Sequence, residues 1–201
     1  MLDKLVPANP LAFGGTMSDG ITVLPGAGQP IRAAGMTLKV GSAQTPTWSA
    51  FETLVTPGFD VGAHVHAAAE EIFYVLDGEL DLLAFEPVVR TATDWSGWQS
   101  ATGQRVVRAG PGALMFVPAG CPHAFANRGE LPVRMLFLVA PAGHEHYLAE
   151  LGDLLTASQV PGGEPLTPEA VAAVRARHDI HQITPLIPGR IGTAAAGGPH
   201  E

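Results

Sequence analysis

Charge is scarce in this chain. Asp, Glu, Lys and Arg make up 15% of its 201 residues, and Lys and Arg together number only 11 against 19 acids. A formal net charge of −8 with the few cations scattered argues against a nucleic-acid backbone as partner, which requires clustered Lys and Arg. Cysteine is nearly absent. Cys121 stands alone, so no intrachain disulfide can form, and a reducing interior suits the chain better than secretion. No apolar run approaches the roughly eighteen residues of a membrane-spanning helix. The opening Met1–Pro10 carries an early acid and two prolines rather than a signal-peptide core. A cytoplasmic protein with no membrane partner is the expectation. Internal repeats are also missing, which leaves a single domain. What is present is 46% hydrophobic residues, enough for one full core in a chain of this length.

Two stretches concentrate the chemistry. The first runs from Gly58 to Gly78 and contains His64, His66, Glu70 and Glu71; the second runs from Gly112 to Asn127 and contains His123. Along a strand, side chains alternate faces, so His64 and His66 point the same way. Glu71, Phe73 and Val75 share one face of a following strand, which sets a carboxylate among bulky apolar groups. Such a carboxylate needs a cation or a partner. In the second stretch Pro118-Ala-Gly120 fits a type I turn with Pro second and Gly fourth, feeding a strand on which His123, Phe125 and Asn127 share a face. Three imidazoles and one carboxylate suit one divalent transition metal ion, Fe, Mn, Ni, Co, Cu or Zn.

These stretches carry every residue of the patterns G(X)5HXH(X)3,4E(X)6G and G(X)5PXG(X)2H(X)3N at the right spacing, and the chain thereby resembles the cupin superfamily, in a single-barrel, quercetinase-like form. The resemblance implies an all-β antiparallel jelly-roll barrel whose metal is held by His64, His66, Glu71 and His123. Glu71 fits the spacing to Gly78 better than Glu70. The resemblance also implies a homodimer and a small-molecule substrate. Its most specific implication is a dioxygenase in which Glu71 doubles as metal ligand and catalytic base for an enolic or phenolic substrate, dioxygen being the co-substrate. A non-oxidative isomerase, cyclase or lyase, and a binding protein without turnover, are the alternatives.

The organisation expected is an arm over residues 1–35 with short strands such as Ile21–Leu24, a barrel over 36–140, a helical extension over 141–186 and a patternless tail over 187–201. Apolar residues at helical spacing from Tyr147 to Leu155 mark one helix, and Thr167-Pro168 open a second. The run Val133–Val139 alternates only in part, as a strand covered on both sides would. Which face of Thr47–Val55 looks inward is open. Trp95 and Trp98, in a long connection between the motifs, read as pins holding the insertion to the outside of the barrel, with a lid over its mouth or a patch for another subunit as the alternatives. Phe73, Val75, Met115, Phe125, Met135 and Phe137 are core candidates that could also shape an apolar ligand pocket. His144 and His146, at the start of a helix where i and i+2 do not face each other, are expected to be exposed. Solvated positions are expected for His178, His181, Glu70 and Asp77, and Cys121 reads as a small buried hydrophobe.

Overall fold

The computed structural model describes residues 19–31 and 35–189. Two antiparallel sheets face each other across one core. The six-stranded sheet runs in the order β1 (Gln29–Ile31), β2 (Met36–Val40), β3 (Ser49–Val55), β10 (Val133–Ala140), β5 (Glu70–Asp77), β8 (Leu114–Val117). The five-stranded sheet runs β11 (Ile180–Gln182), β4 (His64–His66), β9 (His123–Ala126), β6 (Leu80–Ala84), β7 (Val107–Ala109). No helix among the described residues is long and apolar enough to cross a membrane.

The period of two decides what faces the core. On β5 the residues Glu71, Phe73 and Val75 are buried, while Glu70, Leu76 and Asp77 are exposed. The face of β3 left open by its sequence is settled by pairing. Phe51, Thr53 and Val55 point inward because Phe51 lies opposite Phe137 of β10, which in turn lies opposite Phe73 of β5. The rings of Phe51 and Phe137 stack at 5.4 Å, and those of Phe137 and Phe73 at 4.9 Å. Strand β10 alternates strictly, with Val133, Met135, Phe137 and Val139 inward; its outer residues Leu136 and Leu138 are half-buried rather than fully covered.

The connection between the motifs folds onto the outer face of the five-stranded sheet. Trp95 and Trp98 form a second apolar cluster with Leu83, Phe85, Ala124 and Ala126. Buried Asp60 ties this cluster down, accepting from Trp95 Nε1 and Gly62 N at 2.8 Å each and pairing with Arg128 at 2.7 Å. The tryptophans therefore anchor the insertion to the barrel wall and do not form a lid.

Two helices follow, α1 (His144–Gln159) and α2 (Pro168–Arg177). Thr167 caps α2, its hydroxyl accepting from Ala170 N at 3.1 Å. Tyr147, Leu148, Leu151 and Leu155 of α1 enter the same core as the strands, so this helix is a wall of the barrel. At the start of α1, buried Glu145 accepts from Ser42 N, Ser49 Oγ and Gly143 N, at 2.6, 2.7 and 3.1 Å. Burial pushes its carboxyl up, but these hydrogen bonds outweigh that and hold it at about 2.

Three expectations are corrected. Ile21–Leu24 is an irregular segment with Ile21 and Leu24 exposed; the arm's strand is Gln29–Ile31, which finds a partner in β2. The turn before β9 is closed by Cys121 N donating to Pro118 O at 3.1 Å, which places Gly120 third with a φ of 79°. That is the type II arrangement, where glycine supplies the positive φ. The extension also holds β11, a strand with no alternation signal in Ile-His-Gln, paired directly to the His64–His66 strand. Of the remaining expectations for the ends, residues 1–18 and 190–201 lie outside the described residues.

Candidate metal centre

Pairing brings the four motif residues together. His64 of β4 lies opposite His123 of β9, so three imidazoles rise from adjacent strands of one sheet. Glu71 reaches them from β5 of the other sheet. The ring centroids of His64 and His123 are 4.2 Å apart, those of His64 and His66 5.1 Å, and those of His66 and His123 5.2 Å. Each of the four residues is buried and offers one ligand atom, all within 4.8 Å of one another.

The orientation of the rings is set from outside. His64 Nδ1 donates to Gly62 O at 2.8 Å, and His123 Nδ1 donates to Cys121 O at 3.0 Å. These bonds fix the tautomer that leaves the Nε2 lone pair facing inward, the arrangement that orients metal-bound histidines. Gly62 itself has a φ of 71°, and a Cβ there would meet Thr184 O at 2.4 Å. The carbonyl that orients His64 thus depends on a glycine under the returning chain. Asn127 is structural: its amide donates to Val55 O and Leu131 O, and its carbonyl accepts from Gly129 N.

The residues fit a metal ion. His66 Nε2 lies 3.0 Å from Glu71 Oε1, and His123 Nε2 lies 2.8 Å from Glu71 Oε2. Yet His66 Nε2, His123 Nε2 and Glu71 Oε2 are buried without a properly directed hydrogen bond. Donor atoms that crowd one point without bonding to one another are satisfied by a cation at that point. Charge agrees. Burial, reinforced by the neighbouring His123, Arg175 and His66, holds His64 well below the usual imidazole value and keeps it neutral. Burial pushes Glu71 up, but His66 and His123 outweigh it and hold the carboxyl well below its usual range. A neutral His64 and an ionised Glu71 are in the forms that bind a metal.

Beside this cluster lies a cavity of about 50 Å³. Phe73, Phe125, Met135 and Phe137 line it along with His64 and Glu71. Val75 and Met115, expected with them, do not: Val75 sits further along β5 than Phe73, and Met115 sits on the outermost strand β8, both buried in core packing. Helix α1 closes the remaining side with His144, Tyr147, Leu148, Leu151 and Leu155. His144 corrects an expectation. The spacing argument separates it from His146, which is exposed, but the first turn of α1 aims His144 at the cluster, 5.4 Å from the ring of His66. Burial pushes His144 down to about 3, only partly opposed by the Glu71 charge, so it is neutral at ordinary pH.

His178 is also less free than expected. It lies 5.6 Å from the Tyr147 ring and within 2.8 Å of Glu150 Oε2, whereas His181 is exposed. Cys121 is half-buried against the core, and burial pushes its thiol up. Arg175 escapes sequence reading altogether, although its place four residues after Val171 on the apolar stripe of α2 is the one available signal.

The family model for cupins matches residues 36–156, and the chain belongs to that family. No curated protein sequence matches it. Among solved structures, it is similar to KdgF from a Halomonas species, at 19% identity over 56% of this chain and 85% of the other, with a TM-score of 0.41. It is also similar to an uncharacterized conserved protein with a double-stranded β-helix domain from Klebsiella pneumoniae, at 20% identity over 63% and 93%, TM-score 0.41. A third likeness is to Bacillus subtilis oxalate decarboxylase with Mn(II) centres, at 20% identity over 57% of this chain and 28% of that one, TM-score 0.43.

Proposed function

We propose that the chain is a metal-dependent enzyme acting on an enolic or phenolic small molecule, with dioxygen as co-substrate. The observation that carries the metal and the base is the set of buried, unsatisfied ligand atoms on His66, His123 and Glu71, of which Glu71 also lines the apolar cavity. The oxidative part rests on the quercetinase-like resemblance. A transition metal held by His64, His66, Glu71 and His123 supplies a Lewis acid that stabilises charge on a substrate oxygen. Glu71 takes the proton from the enol or phenol, its carboxylate being ionised and facing the cavity. The orienting bonds on His64 and His123 hold the imidazoles still while this happens. Phe73, Phe125 and Phe137 exclude water from the deprotonated substrate.

A second reading drops dioxygen. His144 and Tyr147 give the cavity two groups able to hydrogen-bond or pass a proton, which favours an isomerase or lyase that returns the proton elsewhere on the substrate. Oxygen uptake by metal-loaded protein, measured across flavonols, catechols and 1,3-diketones, separates the two. Consumption abolished by Glu71→Gln supports the dioxygenase; product formation without oxygen uptake supports the second reading; a thermal shift with no turnover leaves a binding protein. A homodimer fits the outer face of the six-stranded sheet, where Leu54, Leu76, Leu114 and Phe116 are exposed.

A further inference from the structure

Arg175 is fully buried, at 0% exposure, and no carboxylate among the described residues comes within ion-pair distance of it. Its guanidinium donates from Nε to the Tyr147 hydroxyl oxygen at 3.0 Å and from Nη2 to Val61 O at 2.7 Å, and Nη1 has no partner. A buried guanidinium without a counter-ion is costly unless something negative stands near. Close at hand, Tyr147 lines both the cavity beside the metal cluster and an outer groove of about 200 Å³ that opens past His66 and His144. Because the Tyr147 oxygen accepts from Arg175, and no acceptor among the described residues takes its proton, the phenol presents a polarised O–H donor.

We infer that the bound small molecule carries a carboxylate, and that Tyr147 donates to it while Arg175 acts behind Tyr147 as a positioning residue. The inference deepens the proposed function, and it rests on that reading for the place of the reacting end beside the metal. A divalent ion with Glu71 leaves one net positive charge, and Arg175 adds another, so an anion is the complement to this site. Asp179 at the groove's rim is turned to His181, 3.3 Å away, and is exposed to solvent.

The test uses benzoate and its neutral isostere benzamide, titrated by calorimetry into Zn2+-loaded and metal-free protein. In Zn2+-loaded wild type, benzoate should bind at least tenfold more tightly than benzamide. Tyr147→Phe should cut that ratio about tenfold with Zn2+ affinity unchanged, Arg175→Met should do the same, and Arg175→Lys should restore part of it. Should Arg175→Met not fold, Tyr147→Phe alone decides. Equal affinity for the two probes in wild type, absence of binding by both, or a ratio that survives Tyr147→Phe overturns the proposal. A wild type that takes up no Zn2+ sinks the metal reading instead, and the benzoate-to-benzamide ratio on metal-free protein then still decides the anion site.

Discussion

Replacing Glu71 by Gln separates a metal site from a polar cluster that merely folds around itself. In the metal-free protein the substitution removes a buried carboxylate, 2% exposed, from the company of two imidazoles. The amide keeps one acceptor and gains donors but gives up the charge that His66 and His123 stabilise, so metal-free stability should fall. Metal adds a second, separable loss. A ligand at a thousand times its Kd stabilises the native state by about 4.1 kcal/mol. A hundredfold loss of affinity, within the range that even outlying partners of a metal ligand command, leaves about 1.4 kcal/mol at the same concentration. The difference of about 2.7 kcal/mol corresponds to roughly 5–10 °C in Tm for a domain of this size. Thermal unfolding with and without Zn2+ or Mn2+, on wild type and Glu71→Gln, reads both halves. Equal metal-induced gains in the two proteins would refute the assignment of Glu71 as ligand, and no gain in either would refute the site.

Other outcomes follow from the same architecture. Asp60→Ala leaves Trp95 Nε1, Gly62 N and Arg128 without their acceptor, which should cost about 3 kcal/mol or more in denaturant unfolding and shift tryptophan emission to the red; unchanged emission would break the anchoring argument. The depressed carboxyl of Glu145 contributes stability that is complete above its usual value of 4.5 and is lost as pH falls through about 2. The stability gap between wild type and Glu145→Ala, about 1–2 kcal/mol at pH 6, should therefore close towards pH 2, and a gap independent of pH would count against the ionised carboxylate. Phe116→Glu places a charge on the exposed outer sheet and should convert a dimer to a monomer in light scattering; a monomeric wild type removes the dimer.

Spacing and period make the candidate metal ligands legible. His64 and His66 must share a face if their segment is a strand, and Glu71 must sit inward because Phe73 and Val75 do. Local signals of this kind also place α2, through Thr167 and Pro168. Corrections arise where the deciding contact is distant. His144 reads as solvated because a helix start carries no information about which wall it will meet. Val75 and Met115 differ from Phe73 only in how far along or across the sheet they lie from the cluster. Arg175 shows the same limit from the other side, since an arginine on a helix stripe gives no sign that Tyr147 and Val61 will enclose it.

The amino-acid order determined which side chains alternate, where glycines permit turns, and hence that three imidazoles and a carboxylate would be presented on strand faces, because those properties are fixed within a few bonds of each residue. Only tertiary structure decided what stands opposite them. Bringing α1 across the open side of the barrel, with α2 packed beside it, turned a bare cluster of donor atoms into an enclosed cavity, and enclosure is a property of segments far apart in the chain.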